Sequence, residues 1–298
     1  MTAVYRGRFA PTPSGPLHFG SIVAAVGSYL EARTHRGEWH LRIDDLDPPR
    51  VVPGAADSIL RCLEQLGFEW DGPVIYQSQR APAYHAALHQ LRQRGVVYPC
   101  ACTRKEIAEG ARTGVEGPIY PGTCRAGMPA GRNARALRLH TAAAPVRFDD
   151  LVLGPQVRDL EHEAGDFVLY RADGVFAFHL ASAVDDGELG MTDVVRGADL
   201  LESSARQIYV LDLLRLPVPR YAHLPVAVNA RGEKLSKQTH AQPVDLTNPG
   251  RVLTQALDFL GHAGPEGLAV AETREVWRWA EVNWRLHRVP RTASNPIG

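Results

Sequence analysis

Lysine is almost missing from this chain. Of 33 basic residues only Lys105, Lys234 and Lys237 are lysine, and arginine supplies the rest. No run of about 18 apolar residues occurs, so no membrane-spanning helix is expected. Arg6 and Arg8 have no apolar stretch behind them, so the start does not read as a secretory signal, and the cytoplasm is the expected location. Net charge is also lacking, with 33 acidic residues against 33 basic ones. Neutrality neither supports nor excludes a nucleic-acid partner, because a basic face can be balanced elsewhere. There are only four cysteines, and three cluster at Cys100, Cys102 and Cys124, a spacing that in a cytosolic protein suggests metal before disulfide. Internal repeats and low-complexity tracts are absent.

What is present supports a globular α/β protein. At 298 residues, 45% hydrophobic and 22% charged, the chain can bury a core, and its length fits one large domain plus an appendage. Val4 to Ala10 reads as a strand, Ser21 to Arg33 as a buried helix and His40 to Ile43 as a second strand. That strand–turn–helix–strand order is how a parallel sheet begins. Ile59, Leu63 and Leu66 mark one helix capped by Gly67; Tyr84, Leu88 and Leu91 mark another closed by Gly95. From Cys100 to about Pro145 the pattern loosens into Gly, Pro and Arg, which suggests an inserted module, set at about residues 98–165. Asp166 to Tyr170 and Phe176 to Val184 read as strand or buried segments. Leu200 to Leu214 reads as a helix and Leu224 to Val228 as a strand. The region from about Ala241 reads as helical and separate. The expected architecture is a Rossmann-type parallel nucleotide-binding domain over residues 1–240, with a zinc-containing insertion, and a short C-terminal helical region over 241–298.

Two short segments far apart carry the chemistry. Pro11-Thr-Pro-Ser-Gly-Pro-Leu-His-Phe-Gly-Ser21 places a Gly/Pro turn, His18 and Gly20 at the mouth of the first helix. A helix N-terminus with close backbone approach is a natural phosphate site. Gly232-Glu-Lys-Leu-Ser-Lys-Gln238 is a loop holding two of the three lysines, and a compact ammonium suits a mobile phosphate loop better than a planar fork. Together they form a place to hold a triphosphate from both sides, and imply ATP-dependent activation of a carboxylate. The competing explanation is a capped helix turn plus a lysine-bearing surface loop.

His18-Phe-Gly-Ser21 and Lys234-Leu-Ser-Lys-Gln238 resemble the two hallmark motifs of class I aminoacyl-tRNA synthetases. Arg8-Phe-Ala-Pro-Thr-Pro-Ser-Gly15, Arg42-Ile-Asp-Asp-Leu-Asp47 and Val195-Arg-Gly-Ala-Asp199 are similar to the glutamyl-tRNA synthetase branch. The short length and the cysteine cluster resemble its glutamyl-Q tRNA(Asp) synthetase subfamily, over roughly four-fifths of the chain from about Tyr5 to Ala241. The resemblance implies His18, Lys237 and Lys234 as catalytic groups. It implies an ATP site of Pro11, His18, Gly20, Ser21, Lys234, Leu235, Ser236 and Lys237, with Mg2+ accompanying the triphosphate. It implies glutamate contacts from Arg8, Phe9, Ala10, Pro11, Thr12, Asp44, Phe178 and Arg196. Two positions depart from the family pattern: Asp44 stands where glutamate is usual, and Phe178 where tyrosine is expected. For any single arginine among the many here, a surface ion pair is the commoner role.

Three thiolates leave one tetrahedral zinc position open. The family completes it with a tyrosine, and Tyr120 occupies the matching place; water or a nearby histidine would compete, and unliganded buried thiols are the alternative. Cys62 reads as core. Trp277, Trp279 and Trp284 lie among Arg278, Arg285, Arg288 and Arg291, which can stack bases and track a nucleic-acid backbone or pack the last helix onto the body. Only about 60 residues follow the lysine loop, so the region that a full synthetase devotes to the anticodon is expected to be missing. The subfamily resemblance then implies ATP, L-glutamate and tRNA(Asp) carrying queuosine as partners, no membrane, and a monomer. Three other readings compete. One is a truncated glutamyl-tRNA synthetase charging tRNA(Glu), another a small-molecule nucleotidyltransferase, and the third a non-enzymatic zinc-containing RNA-binding protein.

Overall fold

The computed structural model describes residues 4–114, 117–141, 145–229, 232 and 242–296. Strand β1 (Arg6–Phe9) runs into the Pro/Gly turn, and helix α1 (Phe19–Thr34) follows. Strand β2 (Glu38–Ile43) then pairs parallel with β1. Nearly every side of α1 is buried, which is why its sequence is apolar throughout rather than striped. At its Gly27 a Cβ would stand 2.4 Å from Leu224 Cδ1, so a larger residue there would force that side chain to move. Helix α2 (Ala55–Gln65) buries Ile59 and Leu63, and Gly67 ends it with φ +75°. Strand β3 (Ile75–Tyr76) extends the parallel sheet beyond β2, and helix α3 (Ala81–Gln93) buries Tyr84, Leu88 and Leu91.

The middle of the chain builds a different sheet. Strand β4 (Val97–Cys100), helix α4 (Arg104–Gly110) and the two-residue ribbon β5 (Thr113–Gly114) and β6 (Gly117–Pro118) precede strand β7 (Ala136–Leu139). Strands β8 (Val146–Asp150) and β9 (Gly154–Arg158) form a hairpin, followed by helix α5 (Leu160–Glu163) and strand β10 (Phe167–Tyr170). Strands β10, β7 and β4 make an antiparallel sheet that carries the cysteine cluster. The β8–β9 hairpin instead reaches strand β12, described next, at Asp150, so this stretch joins the parallel sheet.

Residues 178–188 form helix α6 (Phe178–Glu188), not a strand; its residues from Leu180 to Gly187 are all buried, so periodicity alone could not separate buried strand from buried helix. Strand β11 (Asp193–Gly197), helix α7 (Leu201–Leu214) and strand β12 (Arg220–Leu224) make a second parallel crossover. Pro225 separates β12 from strand β13 (Val226–Val228). Thr192 N–H donates to Arg6 O at 3.0 Å and Arg6 N–H to Thr192 Oγ1 at 2.8 Å, so β11 lies beside β1. The parallel order is β3–β2–β1–β11–β12, with the direction of winding reversed between β1 and β11. In doubly wound sheets ligands bind at the carboxyl ends of the strands at such a reversal.

The tail does not stand apart. Helices α8 (Pro249–Phe259) and α9 (Thr273–Asn283) pack on α1, and strand β14 (Ser294–Pro296) pairs parallel with β13. Trp277 joins an aromatic cluster with Tyr29 and Phe68 and donates from Nε1 to Leu66 O at 2.8 Å. Trp284 donates from Nε1 to Glu31 Oε2 at 2.6 Å. Two of the three tail tryptophans are thus anchors of the main core, where truncation of a buried Trp typically costs about 3–5 kcal/mol. Among the described residues no helix is long and apolar enough to cross a membrane.

Candidate active site

A cleft of about 870 Å³ opens where β1 and β11 diverge. Its wall gathers the described residues expected to meet phosphate: Pro11, His18, Gly20 and Ser21. It also gathers those expected to meet the amino acid: Arg8, Phe9, Ala10, Thr12, Asp44, Phe178 and Arg196. Lys234, Leu235, Ser236 and Lys237 lie outside the described residues. The chain on either side of them is informative. Val226 and Ala227 line the cleft before the loop, and afterwards Val244 N–H donates to Leu17 O at 3.1 Å, next to His18. Both ends of the lysine segment therefore flank the first motif.

His18 is the N-cap of α1. Its Nδ1 accepts from Ser21 N–H at 3.3 Å, which assigns the hydrogen of a neutral ring to Nε2. The imidazole is thereby a donor at the positive end of a 16-residue helix, the arrangement that favours phosphate.

Beneath the cleft lies a network of buried charges. Arg8 donates from Nε and Nη2 to the two carboxylate oxygens of Asp186, both at 3.0 Å. Arg42 donates from Nη1 to Asp186 Oδ1 at 2.7 Å and from Nε to Asp44 Oδ1 at 2.6 Å. Asp185, the neighbouring acid, accepts from Gln77 at 2.7 Å, Arg80 at 2.5 Å and Tyr84 at 2.9 Å. Burial alone would raise the Asp186 carboxyl, but Arg8 and Arg42 bring it down to about 2. At Asp44 burial prevails and pushes the carboxyl up against the pull of Arg42. Asp44 reaches the cleft with its carboxylate already engaged by Arg42.

Arg196 is housed differently. It donates from Nη2 to Ser204 Oγ at 2.8 Å and Leu200 O at 3.3 Å, and from Nε to His223 Nε2 at 3.3 Å. These are neutral acceptors, and its Nη1 is buried without any acceptor among the described residues. Burial pulls its pKa down to about 10 against the attraction of Asp186 and Asp199, so it remains a cation at neutral pH. A guanidinium that lines a cleft and keeps one buried nitrogen without a protein acceptor suits a ligand carboxylate. Phe178, the first residue of α6, is partly exposed at the rim.

Sequence reasoning overlooked Asp186, Asp150, His223 and Ser204, and gave Arg42 no role although it stands in a quoted motif. The available signal was Asp185-Asp186, two acids inside an otherwise apolar buried run; buried carboxylates demand partners.

The cysteine cluster is assembled as the spacing implied. The Sγ atoms of Cys100, Cys102 and Cys124 lie within 4.8 Å of one another, with Cys102 and Cys124 3.7 Å apart. Tyr120 Oη is 3.4 Å from Cys100 Sγ and 3.7 Å from Cys102 Sγ. Ligands about 2.0–2.3 Å from a tetrahedral zinc ion stand roughly 3.4–3.8 Å from one another, so these four atoms fit the group. Burial and the thiols raise the Tyr120 phenol, so its proton is lost only when a cation replaces it. The guanidinium of Arg138 stacks 3.9 Å over the Tyr120 ring, where it offsets the negative charge of such a ligand set.

Comparison with known proteins fixes the family and the fold. The family model for the catalytic domain of class I tRNA synthetases (E and Q) matches residues 4–283. A glutamyl-Q tRNA(Asp) synthetase of Aromatoleum aromaticum is 56% identical over 287 residues, covering 96% of this chain and 91% of its own. Another, from Dechloromonas aromatica, is 56% identical over 293 residues, covering 98% and 97%. A glutamate tRNA ligase of Elizabethkingia meningosepticum, solved with its amino acid, superposes with a TM-score of 0.80 at 24% identity, covering 99% of this chain and 67% of its own; that likeness concerns the fold. The chain belongs to the glutamyl-Q tRNA(Asp) synthetase family, on the catalytic fold of the class I tRNA synthetases.

Proposed function

We propose that this enzyme activates L-glutamate with ATP and passes the glutamyl group to the queuosine nucleoside in the anticodon of tRNA(Asp). In the first step a carboxylate oxygen of glutamate attacks the α-phosphorus, the bond to the bridging oxygen breaks, and pyrophosphate leaves with the electron pair. In the second a hydroxyl of the queuosine ring attacks the activated carbonyl, loses its proton and releases AMP. The observation that carries the reading is Arg196, a buried cation whose Nη1 has no acceptor among the described residues, lining the same cleft as the His18 turn.

The protein's part is placement and charge. Arg196, with Arg8 beside it, receives the carboxylate that is not activated. Asp44 faces the amino group, its negative charge shared with Arg42. His18 donates from Nε2 to the phosphates as charge builds on them, and the α1 N-terminus adds its dipole. Lys234 and Lys237, in the segment whose described neighbours on either side flank this turn, follow the charge that migrates to the leaving pyrophosphate. Mg2+ accompanying the triphosphate would supply further neutralisation of phosphate oxygens. Cys100, Cys102, Tyr120 and Cys124 would hold a structural zinc ion, which would tie β4 to the turn that carries Cys124. The enzyme acts as a soluble, cytoplasmic monomer.

The test is incorporation of radiolabelled glutamate into total tRNA from queuosine-containing and queuosine-free cells, with the label located after nuclease digestion. Label confined to the queuosine pool and to the anticodon nucleoside is expected. Label on the 3′-terminal adenosine of tRNA(Glu) from both pools would overturn the proposed acceptor. Absence of glutamate-dependent pyrophosphate exchange into ATP would overturn the activation step itself.

A further inference from the structure

The two arginines that face the amino-acid end of the cleft are held alike but by opposite chemistry. Each guanidinium is gripped along its Nε/Nη2 edge. In Arg8 that edge meets the Asp186 carboxylate, and in Arg196 it meets His223 and Ser204. A carboxylate partner cancels the charge that it positions; an imidazole and a hydroxyl do not.

The second grip is built with care. Arg196 and His223 are direct neighbours across the parallel pair β11–β12, so their side chains leave the same face of the sheet. His223 Nδ1 is 2.6 Å from Asp150 Oδ2, and Ser204 Oγ is 3.0 Å from His223 Nε2. Asp150 is fixed in turn, because its Oδ1 accepts from the backbone N–H of Val152 at 3.0 Å and of Leu153 at 2.8 Å. A carboxylate can only accept, so Nδ1 of His223 carries the hydrogen and Nε2 is left as an acceptor for Arg196 Nε–H. Burial also favours the neutral ring. The order Asp–His–Ser matches that of a hydrolytic triad, but all three side chains are buried and the serine oxygen accepts from a guanidinium, so no substrate reaches it.

We infer that Asp150, His223 and Ser204 are positioning residues for amino-acid selection: they lock Arg196 through neutral acceptors, so that the groups that grip it do not cancel its charge and its Nη1 is left for the substrate's free carboxylate. The inference rests on the reading of Arg196 as a glutamate receptor. Asp150 sets the histidine tautomer, and the tautomer decides whether Nε2 accepts from Arg196 or confronts it with a second donor.

Asp150→Asn separates this role from a merely structural one. The asparagine Oδ1 still accepts from Val152 and Leu153, while its amide donates to His223 Nδ1 and forces the hydrogen onto Nε2. Measured by pyrophosphate exchange, the variant is expected to raise the KM for glutamate at least fivefold while the KM for ATP stays within twofold. His223→Gln, whose side-chain oxygen restores an acceptor toward Arg196, should be less impaired than His223→Asn. A rise of less than fivefold for Asp150→Asn would overturn the inference. The 15N shifts of the His223 ring in the unaltered protein give an independent answer that does not depend on a variant folding. A protonated Nδ1 with bare Nε2 supports the inference, and a protonated Nε2 overturns it. Arg196→Met separates the two levels: an unchanged KM for glutamate there would sink the receptor reading itself, whereas a large rise with Asp150→Asn silent would sink only the positioning.

Discussion

Arg196→Met should disable glutamate recognition without weakening the fold. Methionine keeps an unbranched apolar stem in a fully buried site and removes only the guanidinium. A buried charge-assisted hydrogen bond from Nη1 to a carboxylate is worth about 1.5–3 kcal/mol. A unit-charge pair 4 Å apart contributes about 4 kcal/mol at an effective dielectric near 20. Because both figures describe overlapping parts of one contact, about 3–4 kcal/mol is the expected loss, or roughly 10²–10³-fold in kcat/KM at about 1.4 kcal/mol per tenfold. Stability should move the other way. Burial, with repulsion from Arg8, lowers the Arg196 pKa from 12.5 to about 10 even against the attraction of Asp186 and Asp199, so housing the cation carries a net cost of roughly 3 kcal/mol. Pyrophosphate exchange at varied glutamate gives the first quantity, and urea unfolding without ligands gives the second. Saturating glutamate should stabilise the native protein, by about 2.7 kcal/mol at one hundred times Kd, and leave the variant unmoved. A variant that loses more than about 2 kcal/mol of stability yet keeps its glutamate KM would show that Arg196 is a structural cation, and the reasoning would fail.

Removing the N-cap imidazole with His18→Ala should cut pyrophosphate exchange by about 10²–10³-fold, the usual loss for one transition-state donor, with unchanged glutamate binding in calorimetry; Lys237→Ala should behave alike, and an unchanged exchange rate would refute either role. Cys124→Ser should lower the zinc content measured by atomic emission and reduce the melting temperature, while a metal-free native protein from chelator-free purification would remove the zinc site. Asp186 has a folded pKa of about 2 against roughly 3.9 in unfolded chains, so it contributes about 2–3 kcal/mol that is present above pH 4 and lost as pH falls through 2. Asp186→Asn should therefore flatten the acid limb of stability against pH between those values, and an acid limb identical to the unaltered protein's would contradict the Arg8–Asp186–Arg42 network.

The fold was legible where local rules act alone. The Pro/Gly turn, the N-terminal helix, the Gly67 cap and the cysteine cluster each depend on residues close in sequence, and each appears as read. Helix α6 was obscured because burial on all sides erases the periodicity that separates helix from strand. The tail was misjudged as separate because its anchors, Trp277 to Leu66 and Trp284 to Glu31, span more than two hundred residues.

By itself the sequence determined the chemical groups on offer: a capped histidine turn, a pair of lysines, three thiols and arginines in a glutamate-like context. Tertiary structure alone decided which charges are balanced. Arg8 and Arg196 look equivalent in the chain, yet one meets Asp186 from α6 and the other meets His223 across the β11–β12 ladder. Whether a guanidinium is cancelled or left open depends on partners 27 and 178 residues away, and no local pattern encodes such distances.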